Sequence, residues 1–379
     1  MKLLTGLFFI PIALSLTSNI STRMLVLERD HYPIEDHTVH TSDGYILNLF
    51  RMNRPNLSNK NVVFLMHGLF GSSDDYVVNG VGRSLAHILL DEEFDVWLGN
   101  ARGNKYSKSH EYLSNIDPRF WSFEWHEIAM KDLPAMINYI LRTTGSEKLS
   151  YIGHSQGGTT LLVLNSLDPE YGMKTIKSAH LLAPACFVGN ARTDLRTLAP
   201  ILGSSNFLGS SFGAEVLAES PLLDLICTGR SYELLCANLL NFFGGFDYEM
   251  VNKSLIDDIL STIPSGASWK QVQHYFQETA SNKFQQFDYG LIGNLAIYRS
   301  THPPEYHLEN IAIPVVFYVG DKDDLVTIED SQKCFDHMNS DHYKDMKIIE
   351  NMDHMNFAYA WEAKSMVYDE VLKDIRKFL

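Results

Sequence analysis

Positive charge is scarce in this chain: 31 lysines and arginines face 46 aspartates and glutamates, a formal charge of −15 at pH 7. That balance speaks against nucleic acid or an anionic surface as partner, because phosphate recognition needs clustered cations. Long apolar runs are missing after the N-terminus. The run at residues 3–16 follows Met1-Lys2, is broken by Pro11 and ends in small polar residues, the pattern of a signal peptide over 1–18. It is too short to span a bilayer, and no later run is long enough, so no transmembrane segment is expected. Cleavage after Ser15, Thr17 or Ser18 fits equally. Internal repeats and low-complexity tracts are absent.

Metal and cofactor motifs start and break off. His126-Glu127 opens a zinc-helix pattern, but Met130 stands where the second histidine is required. Asp321-Lys322-Asp323 opens a calcium loop, yet Val326 and Gln332 replace its glycine and glutamate. Gly80-Val81-Gly82 lacks the third glycine of a dinucleotide loop, since Leu85 is there. Neither a metal nor a cofactor is implied. Fifteen histidines would, if all protonated, bring the net charge to about zero before any carboxylate titrates, so acidic surroundings are tolerable.

What is present is a nucleophile motif. Gly153-His154-Ser155-Gln156-Gly157 is a G-x-S-x-G string, preceded by a strand-like run at 148–152 and followed by a helix-forming run from 159. A serine on so sharp a strand-to-helix turn is pushed out over the end of a sheet, and the two glycines remove side chains that would collide there. A catalytic triad then needs an acid and a histidine downstream, each at the end of a later strand. The run 313–320 is β-branched and apolar and leads into Asp323; the run 346–350 leads into His354. Ser155 is therefore the candidate nucleophile, His354 the base and Asp323 the acid, with Asp324 the competing acid. The apolar run 62–66 ends in His67-Gly68-Leu69-Phe70-Gly71, where a first oxyanion donor belongs, and the donors are assigned to the N–H groups of Leu69 and Gln156. In isolation His67 reads equally as a strand cap, and Gly68 and Gly71 as ordinary turn glycines.

Strand-like and helix-like runs alternate from about 30 to 185, as in the helical stretch 124–142 with Ile137, Ile140 and Leu141 on one side, which predicts an α/β fold with a mostly parallel sheet. The pattern divides the mature chain into a first core part at 19–183, a strandless helical cap and lid insertion at 184–310, and a second core part at 311–379. The last part ends in an amphipathic helix with Val367, Val371, Ile375 and Leu379 at helical spacing. The leucine-rich runs at 222–226 and 239–243 suit a lid that covers the site in water. Sequons at Asn56 and Asn252 are candidate glycosylation sites on a secretory route; Asn19 lies too near the cleavage region.

Several strings together resemble the acid lipase family of the α/β-hydrolase superfamily, the gastric and lysosomal lipases with their insect relatives. They are Tyr32-Pro33, the strings at 41–46 and 63–69, Asp95 to Asn104, Phe120-Trp121, Asp132-Leu133-Pro134, the elbow with Gln156 after Ser155, and Lys283-Phe284-Gln285. Small departures are Met66, Gly158 and Ala101. The resemblance implies an α/β-hydrolase fold, the same triad, and a disulfide between Cys227 and Cys236; Cys186 and Cys334 are left as two buried thiols. It further implies a secreted or lysosomal lipase that cleaves triacylglycerols or sterol esters at an oil–water or membrane interface through an acyl-serine. An esterase or thioesterase, and a non-catalytic lipid-binding relative, are the other readings.

Overall fold

The computed structural model describes residues 20–54, 61–193, 195–204, 245 and 247–379, with the backbone of 215–216. Eleven strands are present among them: β1 Glu35–His40, β2 Tyr45–Met52, β3 Val62–Met66, β4 Asp95–Gly99, β5 Ser109–His110, β6 Leu149–His154, β7 Ile176–Leu182, β8 Glu215–Val216, β9 Ala267–Ser268, β10 Val315–Gly320 and β11 Lys344–Ile349. Nine of them form one sheet in the order β1-β2-β4-β3-β6-β7-β10-β11, with β5 on β2. Every pairing from β4 through β11 is parallel, while β1, β2 and β5 pair antiparallel at one edge.

The central strands are wholly buried because both faces are covered, which is why runs such as Val62-Val63-Phe64-Leu65 carry no polar alternation. Successive side chains point to opposite faces. Val63, Leu65, Ile152 and Val316 pack with α1 (Leu85–Asp91) and the C-terminal helix, whereas Phe64, Tyr151, Leu181 and Phe317 pack with α2 (Leu133–Thr144) and α3 (Gln156–Leu167). The outer strands are more polar. β1 reads EDHTVH with one buried residue, and β11 opens on a lysine, so neither edge offers a long apolar template for another chain.

The helical stretch at 124–142 is interrupted where its sequence dictates. Trp125–Glu127 is α-helical, Ile128–Asp132 forms a π-turn, and α2 resumes with Pro134 near its start, a residue that cannot donate to the preceding turn. The C-terminal stripe is shorter than its spacing predicts. Val367, Val371 and Ile375 are fully buried, but the helix Asp369–Arg376 ends before Leu379, which is exposed.

Between β7 and β10 the described segments are α4 (Leu195–Leu202), α5 (Ile256–Thr262), α6 (Trp269–Ser281) and α7 (Gly290–Ile297), with β8 and β9 paired antiparallel. The expectation of a strandless insertion is corrected by these two strands, which at two residues each are too short to leave a period-two signal. The leucine-rich runs, Cys227, Cys236 and Asn56 lie outside the described residues. Asn252 is partly exposed and starts a 3-10 turn by accepting from the Ser254 N–H at 3.1 Å.

The two cysteines read as free thiols are bridged. Cys186, just after β7, and Cys334, on the helix Ile328–His337, are joined with Cα atoms 6.1 Å apart, both buried. At a sequence separation of 148, no spacing rule could announce the pair. Closing so long a loop constrains the unfolded chain strongly, so Cys186→Ser with Cys334→Ser should lose about 2–5 kcal/mol of stability. Denaturant melts with and without reductant would measure the loss, and a non-reduced peptide map showing two free thiols at these positions would contradict the bridge.

Candidate active site

Ser155 sits between β6 and α3 with φ 50° and ψ −117°, a conformation costing of the order of 1–3 kcal/mol for a residue with a Cβ. Close packing holds it there. A Cβ on Gly157 would overlap the Met66 carbonyl, and one on Gly153 would meet Gly157 at 2.6 Å. The serine N–H donates to Leu182 O at 2.9 Å, and its carbonyl accepts from Gly158 at 2.8 Å and Thr159 at 3.1 Å. Gly158, where a larger residue would press on the Pro184 ring at 2.7 Å, fits for the same reason.

The structure brings the three sequence-chosen residues together at the ends of β6, β10 and β11. Ser155 Oγ lies 2.8 Å from His354 Nε2, and His354 Nδ1 lies 2.8 Å from Asp323 Oδ2. Asp323 is fixed independently of the histidine: its Oδ1 accepts from the N–H groups of Leu325 at 2.9 Å and Val326 at 2.7 Å. Asp324 points elsewhere. Its side chain is about half exposed and stands 3.9 Å from Arg192.

The loop to which an oxyanion donor is assigned follows β3. Neither Leu69 nor Gln156 uses its N–H in a hydrogen bond among the described residues, so both are available to an incoming oxygen. His67 is more than a strand cap. Its Nδ1–H donates to Gly68 O at 2.8 Å, while Nε2 accepts from Ala101 N–H at 3.1 Å and from Asn104 at 3.2 Å. Burial lowers its pKa to about 4, so the ring stays neutral and keeps this tautomer. The string ending at Asn104 thus braces the loop from behind. Its neighbour Arg102 is buried and ties two further strings together, bonding Asp43 at 2.7 Å and Asp132 at 2.7 Å.

Two groups escaped the reading of the sequence. His154 precedes the nucleophile within the motif itself, and its Nε2–H donates to the His354 carbonyl at 2.9 Å, holding the loop that carries the base. Burial, with His354 beside it, lowers its pKa to about 3. Asp75 lines the cavity at Ser155 and accepts from Tyr359 Oη at 2.8 Å. Burial pushes its carboxyl up to about 7. Only the motif position could have flagged His154, and nothing in the sequence separates Asp75 from an ordinary turn aspartate.

Ser155 opens into a cavity with mainly apolar walls, among them Ala185, Val188, Val272, Phe276 and Leu325. Among the described residues, no group of three or more His, Cys, Asp or Glu could hold a metal, and no helix is long and apolar enough to cross a membrane.

Buried titratable groups pull stability in opposite directions. His67, His154 and His180 have folded pKa values of about 4, 3 and 3, below their unfolded value, so their contribution is lost as pH falls below about 6.5. Asp75, Glu127 and Asp353 are raised to about 7, 7 and 6 by burial, so theirs is present in acid and lost as pH rises through those values. Between pH 4.5 and 6 the two sets offset. Asp75→Asn should therefore stabilise the protein more at pH 8 than at pH 5, by about 1.4 kcal/mol per pH unit across the titration, read as several degrees in the thermal midpoint. An equal shift at both pH values would refute the buried, protonated acid.

Comparison with known proteins gives the family and the fold. Residues 25–80 match the family model described as a partial alpha/beta-hydrolase lipase region, and 61–216 match the alpha/beta hydrolase fold. The chain is 42% identical to Lipase 3 of Drosophila melanogaster over 363 residues, which span 93% of this chain and 92% of that one. It is 36% identical to the gastric triacylglycerol lipase of Bos taurus, over 90% of this chain and 87% of the relative. Among solved structures, an alpha/beta hydrolase from a Penicillium species superposes with a TM-score of 0.56 at 14% identity, covering 91% of this chain and 99% of the other, a likeness of fold alone. By identity over nearly its full length, the chain belongs to the acid lipase family, carboxylic ester hydrolases built on the α/β-hydrolase fold.

Proposed function

We propose that the protein hydrolyses the carboxylic esters of neutral lipids, triacylglycerols or sterol esters, through an acyl-Ser155 intermediate. The observation that carries this reading is the 2.8 Å contact of Ser155 Oγ with His354 Nε2 at the mouth of an apolar cavity. Ser155 attacks the ester carbonyl while His354 Nε2 takes its proton, and the Leu69 and Gln156 N–H groups hold the oxyanion, each worth about 3–4 kcal/mol in comparable sites. His354 then returns the proton to the leaving alcohol. Water, deprotonated by the same nitrogen, releases the fatty acid and restores the serine. Asp323 keeps Nδ1 protonated and stabilises the imidazolium throughout.

A wall of Val188, Val272 and Phe276 suits an acyl chain, which loses its apolar hydration there. A secretory destination, outside the cell or in the lysosome, is supported by the N-terminal pattern at 1–18, the sequon at Asn252 and a buried disulfide that needs an oxidising compartment. The insertion at 184–310 serves on this reading as the cap of the cavity, since Val188, Ile263, Val272 and Phe276 all come from it.

Ser155→Ala should abolish hydrolysis of emulsified triolein and labelling by an active-site phosphonate without unfolding the chain. Asp323→Asn should lose about 10⁴-fold in kcat, because the wrong tautomer is then held, whereas Asp324→Asn should be mild. Rates on emulsified and monomeric esters, measured for the same preparation, complete the test. A preference for soluble esters would make the protein an esterase, and ordinary activity in the Ser155→Ala variant would overturn the mechanism.

A further inference from the structure

Helix α7 inverts the usual amphipathic arrangement. Its one buried residue is Asn294, while Leu291, Ile292, Leu295 and Ile297 are 62%, 83%, 48% and 55% exposed. The asparagine acts as a peg. Its Nδ2 donates to Asp288 Oδ1 at 2.7 Å and Thr301 O at 3.2 Å, and its Oδ1 accepts from the Tyr289 N–H at 2.9 Å. Asp288 is in turn held through its backbone by Gln277 of α6, at 2.8 and 2.9 Å. That helix lines the cavity with Val272 and Phe276. The helix is thus mounted on polar contacts, and its four large apolar side chains have no part in the core.

Scattered exposed leucines are ordinary, but four large apolar side chains within eight residues form a patch. Two features select its occupant. Together these side chains expose on the order of 400 Å², about half of the ~800 Å² per partner that a stable protein–protein interface buries. Residues 290–297 carry no charge, in a chain whose net charge of −15 repels anionic surfaces. We infer that α7 is a surface anchor that inserts Leu291, Ile292, Leu295 and Ile297 into the uncharged surface of a neutral-lipid droplet. Such a helix lies in the interface plane and binds by buried apolar area.

The inference rests on the reading of the protein as a lipid ester hydrolase, but its test reads binding apart from turnover. Full-length protein carrying Leu291→Ser, Ile292→Ser and Leu295→Ser is compared with wild type by flotation with phosphatidylcholine-coated triolein droplets. Partition should fall by about tenfold or more, while kcat/KM on a monomeric short-chain ester and the thermal midpoint stay unchanged. Wild-type flotation should persist at high salt, and Ser155→Ala should float as wild type does. Unchanged partition of the triple variant would overturn the anchor, as would a wild-type dimer that the variant converts to monomer in sedimentation. If the triple variant misfolds, Ile292→Ser alone, at the most exposed position, must still weaken flotation. A protein that floats in this helix-dependent way yet cleaves no ester would leave the anchor standing and remove the hydrolase reading.

Discussion

The backbone of Ser155 is the constraint on which the site depends. A left-handed φ at a residue with a side chain persists only where the surroundings leave no alternative. Here they are the Met66 carbonyl pressed against Gly157, the Leu182 carbonyl holding the serine N–H, and the first turn of α3 holding its carbonyl. Met66 and Leu182 belong to the parallel centre of the sheet, and α3 packs against it. Relaxing the elbow would require β3, β6 and β7 to part, and those strands carry the fully buried apolar layers on both faces. The strain is therefore secured by the most stable part of the fold, and the oxygen projects where the ends of β10 and β11 deliver the other two residues.

Around the elbow, buried imidazoles serve as neutral spacers. His67 holds the Gly68 carbonyl, and His154 the His354 carbonyl, each through one donated hydrogen bond. Burial serves both: it depresses their pKa values and so preserves the single tautomer each geometry needs. A charged His154 next to His354 would oppose the imidazolium of the proposed mechanism. Burial keeps it neutral and removes that repulsion.

The parts of the fold legible in the sequence were those with local signatures. Wholly apolar strands at 62–66 and 315–320, the elbow glycines, and the acid and base placed after later strands are all encoded within a few residues of where they act. What escaped depends on distance. The Cys186–Cys334 bridge joins residues 148 apart, so each cysteine by itself looked like a small buried apolar residue. Leu379 continued a helical spacing that the chain end does not continue in space. The run at 290–297 gave no signal because apolar composition does not say which way a helix faces; here the helix is held by an asparagine and its large apolar side chains face outward.

The turn after β10 joins the chemistry to the insertion. Asp323 orients His354, the next carbonyl, of Asp324, accepts from the Arg192 N–H at 2.6 Å, and Leu325 forms part of the cavity wall. On the other side of the site, Asp353 accepts from the Asp247 N–H at 2.6 Å, and Asn356 donates to the Asp247 carbonyl at 3.1 Å. The insertion is thus tied to both loops that supply the acid and the base. Displacement of either attachment would bear first on Leu325 or Asp353 and not on the proton path, because Asp323 Oδ1 is held by two N–H groups of its own turn and His354 by His154 from β6. The insertion is therefore attached beside the contacts among Ser155, His354 and Asp323 and not through them.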